Sequence, residues 1–287
     1  VSFYPKPKNR ERAFGTLRFL RKTTDNHSRR VVQVFLSVFL SFFLIGSGWA
    51  DEREVKASVS LGHSGKLEII SPSSKQDIAK YVTASLLDAQ AEIYTLLGTA
   101  IPVETSVHLL NEETFFSVTK APKWTNALFV NGKILIPLMR KGVDRDSIKR
   151  SARHEFFHAV THELTQGRLQ GWLDEGLAQW FEGEKLAVLD IILRKWLINE
   201  DPIPLALLQG GFTRLETRKV AAAYAQSLYA SEYLVSRFGM NALRKYMILL
   251  GTDTSRDTAF KEAFGVTEAQ FEIMLSNSLK EWAKKNI

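Results

Sequence analysis

His154 and His158 stand four residues apart with Glu155 between them, in the run His154-Glu155-Phe156-Phe157-His158. Residues at i and i+4 share one face of an α-helix, so both imidazoles can address a single ion. Further along comes Glu175, in Trp172-Leu173-Asp174-Glu175-Gly176, which offers a carboxylate as the chain returns. Two imidazoles, one carboxylate and an open position for water suit zinc, in the arrangement that marks catalytic rather than structural centres. A metal so held acidifies a water, and Glu155 stands where it can take the proton and later hand it to a leaving amine. Glutamine at 155 would keep the geometry and lose the base. The chain has no cysteine, so thiolate sites and disulfide frameworks are excluded. The spacing therefore predicts one Zn2+ per chain on His154, His158 and Glu175, with Glu155 as catalytic base.

Neighbouring residues sort less sharply. Asp174 and Glu182 could orient the two imidazoles from behind, or simply lie on a solvated helix face. His162 is again four residues on and is followed by Glu163, but Gln166 occupies the position a second motif needs. It reads as helix surface or as support for the centre, not as a ligand. Phe156 and Phe157 read as core.

The elements that must carry these groups follow from pattern. Glu54 to Ile70 alternates as a strand or hairpin, turning at Gly62-His63-Ser64-Gly65. Asp77 to Leu97 has apolar residues at helical spacing and stops at Gly98. Val103 to Leu110 reads as a strand, and Asn111 caps a short helix. Ala127 to Leu138 reads as two strands about Asn131-Gly132, a hairpin dipeptide. Asp144 or Asp146 caps the helix carrying both histidines, which ends near Gly167. Glu175 falls at the start of the next helix. Helices are expected over 217–238, 241–250 and 268–285. Strands first and helices later define an α+β body, with an α/β part over 51–166 and a helical part over 167–287.

Residues 1–50 are a different kind of chain. They hold nine Lys and Arg against two acids, which accounts for the whole net charge of +7. The body is balanced, so a nucleic-acid partner loses its electrostatic support. After Arg29-Arg30 an uncharged run, Val31 to Ile45, leads to Gly48-Trp49-Ala50. Basic flank, apolar run and small-residue exit predict a secretory signal cleaved after Ala50. A retained anchor through residues 31–45 is the alternative, although the run is shorter than the roughly twenty residues of a bilayer span. Either outcome predicts an exported body, periplasmic, secreted or tethered to the membrane. A twin-arginine signal fits less well, because Gln33 sits where that motif wants an apolar residue.

The stretch His154–Glu182 resembles the gluzincin branch of zinc metallopeptidases, and in particular the peptidase MA-like family. That family's signature is similar to H-E-x-x-H followed by W-L-x-E-G-L-A, and here Trp172-Leu173-Asp174-Glu175-Gly176-Leu177-Ala178 matches it. Pro122-Lys123-Trp124, Gly132–Pro137, Ala223-Tyr224-Ala225-Gln226-Ser227, Ala259-Phe260 and Phe264-Gly265 extend the likeness over about residues 68–283. Gly171 departs from it, standing where proline often precedes the tryptophan. The resemblance implies a zincin-like fold: a small mixed sheet, an active-site helix and a mostly helical C-terminal subdomain. It also implies a peptide or protein substrate, a phenol from Tyr224 at the oxyanion, and a cleft-rim strand at Lys133–Leu138; a Tyr224 that only packs within its helix, the reading its position favours, and an ordinary sheet strand are the alternatives. Main chain at Lys133, Ile134, Leu135 and Ile136 would then pair with extended substrate. Three functions fit: a metallopeptidase, a hydrolase of another amide such as a cell-wall peptide, and a catalytically silent relative that binds an envelope partner. The presence of Glu155 and all three ligands favours the first, and leaves endopeptidase and aminopeptidase action open.

Overall fold

The computed structural model describes residues 53–61, 65–138, 144–182, 186–212 and 215–284. The leader and its signal or tether at residues 31–45 lie outside the described residues, as do positions 62–64 of the expected first turn.

Strand β1 (Glu54–Ser60) pairs antiparallel with β2 (Gly65–Pro72). Helix α1 (Gln76–Leu97) follows and buries Ala79, Val82, Leu86, Ala89, Ile93 and Leu97, one face at three- and four-residue steps. Gly98 ends it at φ 70°, donating its N–H to Tyr94 O. α1 is the crossover that lets β3 (Val103–Asn111) lie parallel to β2. The Asn111 side chain accepts the Thr114 N–H at 2.8 Å and caps α2 (Glu112–Thr119). β4 (Leu128–Val130) and β5 (Lys133–Leu138) form a hairpin through Asn131 and Gly132, at φ 50° and 73°, the left-handed pair that a two-residue turn demands. The sheet order is β1-β2-β3-β5-β4.

Helix α3 (Arg145–Thr165) is capped by Asp144, whose carboxylate accepts the Ser147 N–H at 2.7 Å. It runs between the sheet and the later helices, touching β3, β4, β5 and α1 on one side and the helices on the other. Covered on both sides through its middle, it buries Phe156 and Phe157 completely. Gln166 and Gly167 turn the chain in left-handed conformations into α4 (Gly171–Glu182). Then come α5 (Leu186–Asn199), a 3-10 turn at Leu205–Leu208, α6 (Thr217–Phe238), α7 (Met240–Leu250), α8 (Arg256–Phe264) and α9 (Glu268–Lys284). A mixed five-stranded sheet followed by a mostly helical region is the α+β architecture expected. Helices α5 and α8 were not expected as such. α5 reads LAVLDIILRKWLIN, apolar on too many sides to show one stripe, and α8 is only nine residues long.

α4 is seated by contacts that its sequence dictates. Trp172 is fully buried, stacks on Phe271 of α9 at 5.6 Å and donates its indole N–H to Glu268 Oε1 at 3.2 Å. A Cβ built on Gly176 would lie 2.1 Å from Ser227 O and 2.2 Å from Ser231 Oγ, so α4 and α6 touch backbone to backbone there. The five-residue link between α3 and α4 is gripped from far along the chain. The Arg168 guanidinium donates to the carbonyls of Leu250, Thr252 and Thr254, and Gln166 Nε2 donates to Gly251 O at 3.0 Å.

Candidate metal centre

The imidazoles of His154 and His158 meet edge to face with centroids 4.7 Å apart. Glu175 Oε2, brought in by α4, lies 3.2 Å from His154 Nε2 and 3.6 Å from His158 Nε2. Ligands about 2.0–2.1 Å from a tetrahedral zinc stand about 3.3 Å from one another. The two separations from Glu175 Oε2 are close to an edge of such a coordination tetrahedron, and the three donors, all within 4.8 Å of one another, form a group able to hold one metal ion.

The other two ring nitrogens face carboxylates. His154 Nδ1 is 3.0 Å from Glu182 Oε2, and His158 Nδ1 is 2.8 Å from Asp174 Oδ2. A carboxylate behind each ring draws the proton to Nδ1 and would leave the Nε2 lone pair available to a metal ion. Both of these acids and Glu175 itself come from α4, so one helix supplies the third candidate ligand and the carboxylates behind the first two. The Thr161 hydroxyl, on α3, lies 2.7 Å from Asp174 Oδ1.

The two imidazoles hold their protons tightly, and the carboxylate between them gives its proton up. Burial opposes charge on His154, but the Glu182 charge and the bonds to Glu175 and Glu182 outweigh it and push its pKa up to about 10. For His158 burial again opposes, and Asp174 with Glu175 raises the pKa well above the ordinary imidazole value. Burial would raise Glu175, yet its bonds to the two imidazoles hold it far below the usual carboxylate range. Glu155 is shifted upward by burial, against the pull of the two histidines; Glu175 adds to the rise and the Phe129 N–H works against it.

Glu155 is buried, and its Oε2 accepts the backbone N–H of Phe129 in β4 at 2.7 Å. Arg153, next in chain, is buried against Glu92 of α1 at 2.6 Å and lies 4.6 Å over the Phe181 ring. Tyr224 on α6 packs edge-on against Phe212, with ring centroids 5.0 Å apart. Burial and the charges of Glu175, Glu155 and Glu182 all raise its phenol pKa, so the ring senses three of the site's four carboxylates. His162 is exposed and sits edge-on to Phe129 at 5.7 Å, outside the ligand group.

One expectation needs correction. Lys133–Leu138 is not the rim of the sheet. β5 pairs with β3 along its length and with β4 at Lys133, Ile134 and Leu135, so the main chain at those three positions is bonded on both sides. The side chains of Ile134 and Ile136 are buried in the core. The edge belongs to β4, the other arm of the same hairpin. Phe129 was missed as a site residue because its contribution is a main-chain N–H, which no side-chain pattern announces.

A mixed sheet, a helix bearing two imidazoles and a following helix bearing a carboxylate and its neighbours' supports bring together a group that could hold a metal ion. The chain belongs to the Peptidase MA superfamily, whose pattern matches residues 100–281. No curated protein matches it in sequence. Among solved structures, aminopeptidase A of Legionella pneumophila is similar at 16% identity and TM-score 0.48, over 78% of this chain and 28% of that one. The M1 zinc metallopeptidase of Deinococcus radiodurans is similar at 18% identity and TM-score 0.43, over 80% of this chain and 51% of that one. The chain therefore spans about half or less of the length of these two proteins.

Proposed function

We propose that the protein is a zinc metallopeptidase that hydrolyses peptide bonds. The observation that carries this reading is the pair of N···O separations, 3.2 and 3.6 Å, between the two Nε2 atoms and one Glu175 oxygen, with Glu155 left out of that group. The donor set fits zinc: two imidazoles with their far nitrogens held by acids, and one carboxylate. Bound there, the ion would polarise a carbonyl and acidify a water. Glu155 takes the proton of the attacking water on its carboxylate and returns it to the departing amine. The Phe129 N–H fixes that carboxylate against the edge of the sheet. Tyr224, whose phenol stays protonated by burial, is the donor for oxygen charge that develops at the scissile carbonyl. Substrate lies along β4, the edge strand, where main-chain pairing gives affinity without demanding particular side chains. Export of the body, by a cleaved signal or a tether at residues 31–45, is proposed on sequence alone; cell fractionation that found it in the cytoplasm would end that part.

The purified protein is expected to contain about one zinc per chain, removable by chelator. Glu155→Gln should retain the metal and lower kcat on a peptide library by about 10²–10⁴. Equal turnover by both forms would move the base elsewhere, and a preparation that takes up no zinc would end the reading.

A further inference from the structure

Thr161 sits on α3 almost one turn beyond His158 and is 1% exposed. A threonine inside a helix ordinarily returns its hydroxyl proton to a carbonyl of the preceding turn, as Thr165 does to Thr161 O at 2.6 Å and Thr83 to Ala79 O at 2.8 Å. Thr161 has such a carbonyl within reach, His158 O at 3.1 Å, but Asp174 Oδ1 is closer at 2.7 Å. One proton cannot serve both. A carboxylate oxygen at the shorter distance is a stronger acceptor than a main-chain carbonyl. The second oxygen of the same carboxylate takes the Nδ1 proton of His158 at 2.8 Å. Asp174, from α4, is thus bracketed by two donors of α3.

We infer that Thr161 is a positioning residue of the metal centre: its hydroxyl fixes the Asp174 carboxylate so that Oδ2 meets His158 Nδ1 and His158 Nε2 faces the ion. The inference rests on the proposed zinc reading. Holding Oδ1 removes the rotation by which Asp174 would otherwise leave the imidazole, so the ring is aimed before any ion arrives. The Asp174 side chain is 26% exposed. Water can therefore replace part of what the hydroxyl does, and the effect is graded rather than absolute.

The test is zinc affinity of the full chain, measured by competition with a chromophoric chelator, so that no turnover is needed. Thr161→Val removes the hydroxyl at nearly constant volume and is expected to weaken zinc binding about tenfold. Thr161→Ser, which restores the donor, is expected to bind as the wild type does. Asp174→Asn should weaken binding as well, and adding Thr161→Val to it should weaken binding no further, because both act through one contact. Thr161→Ala carries the same expectation should the valine variant not fold. The inference is overturned if the hydroxyl-free variant binds zinc like the wild type, if serine fails to restore binding, or if the two losses add. A wild-type chain that binds no zinc overturns the reading of the centre, and this inference with it.

Discussion

Glu175 accepts from two imidazoles that each lean on another carboxylate, and the direction of each shift fixes how the chelated protein answers to pH. His154 is pushed up to about 10 from an ordinary 6.5, so its contribution to stability is fully present below about 6.5 and is lost as pH rises toward 10. Glu175 is depressed from 4.5, so its contribution is present above that value and is lost as pH falls through its depressed pKa. Chelated protein should therefore be most stable to urea between about pH 4.5 and 6.5 and weaken steadily on the alkaline side. Zinc competes with the same protons, so the added stability it confers should grow from pH 6 to 8. Urea midpoints with and without chelator at several pH values check both halves; a chelated protein more resistant at pH 9 than at pH 6 contradicts them. That His154 and His158 share a face was legible in the sequence, because helical periodicity alone puts positions 154 and 158 together, and Glu175 joined them through the W-L-x-E-G-L-A resemblance. Asp174 and Glu182 were legible only as candidates, since an acid on a helix looks the same whether it faces water or an imidazole. Thr161 and Phe129 were not legible at all: one acts through a hydroxyl that usually serves its own helix, the other through the backbone.

At the scale of elements, α4 is the part that must not move, because it brings three carboxylates to the centre. Its position is set where Gly176 meets the backbone of α6. Gly176→Ala would place a methyl 2.1 Å from Ser227 O, and the neighbour there is main chain, which cannot swing aside. The two helices must separate, at a cost of about 1–3 kcal/mol for overpacking. Glu175 adjoins that contact, so the variant should lose thermal stability and zinc together. Unchanged melting with full zinc content would show that the helices tolerate the shift. Sequence reading gave the helix containing Glu175 but not this crossing, because closeness between helices is not encoded in either helix alone. The misassigned rim strand has a similar cause. β4 and β5 are arms of one hairpin with comparable alternation, and only the pairing of β5 with β3 decides which arm ends the sheet.

For the whole molecule, the order of strands and then helices was legible, since each half carries its own periodicity and its own punctuation at Gly98, Asn131-Gly132 and Gly167. Helix α5 was not, as its mixed faces answer to packing on α6 and α9 rather than to a single apolar stripe. Charge was informative by position, not by total: the excess sits in residues 1–50 and leaves the body balanced. The long-range grip on the link between α3 and α4 belongs to this scale. Arg168→Ala would free that link from the carbonyls of Leu250, Thr252 and Thr254. The variant should melt earlier and bind zinc more weakly, with calorimetry and chelator competition as the measurements, while a wild-type zinc affinity would show that the grip does not reach the centre.

That grip also imposes a timetable on synthesis. The link between the ligand-bearing helices is fastened by carbonyls 82 to 86 residues downstream. A growing polypeptide that has released Glu175 from the ribosome still lacks the clasp until Thr254 has emerged and folded back. The unfinished chain thus carries His154, His158 and Glu175 without the brace that steadies the link between their helices, and that brace closes only after a further 79 residues have followed Glu175.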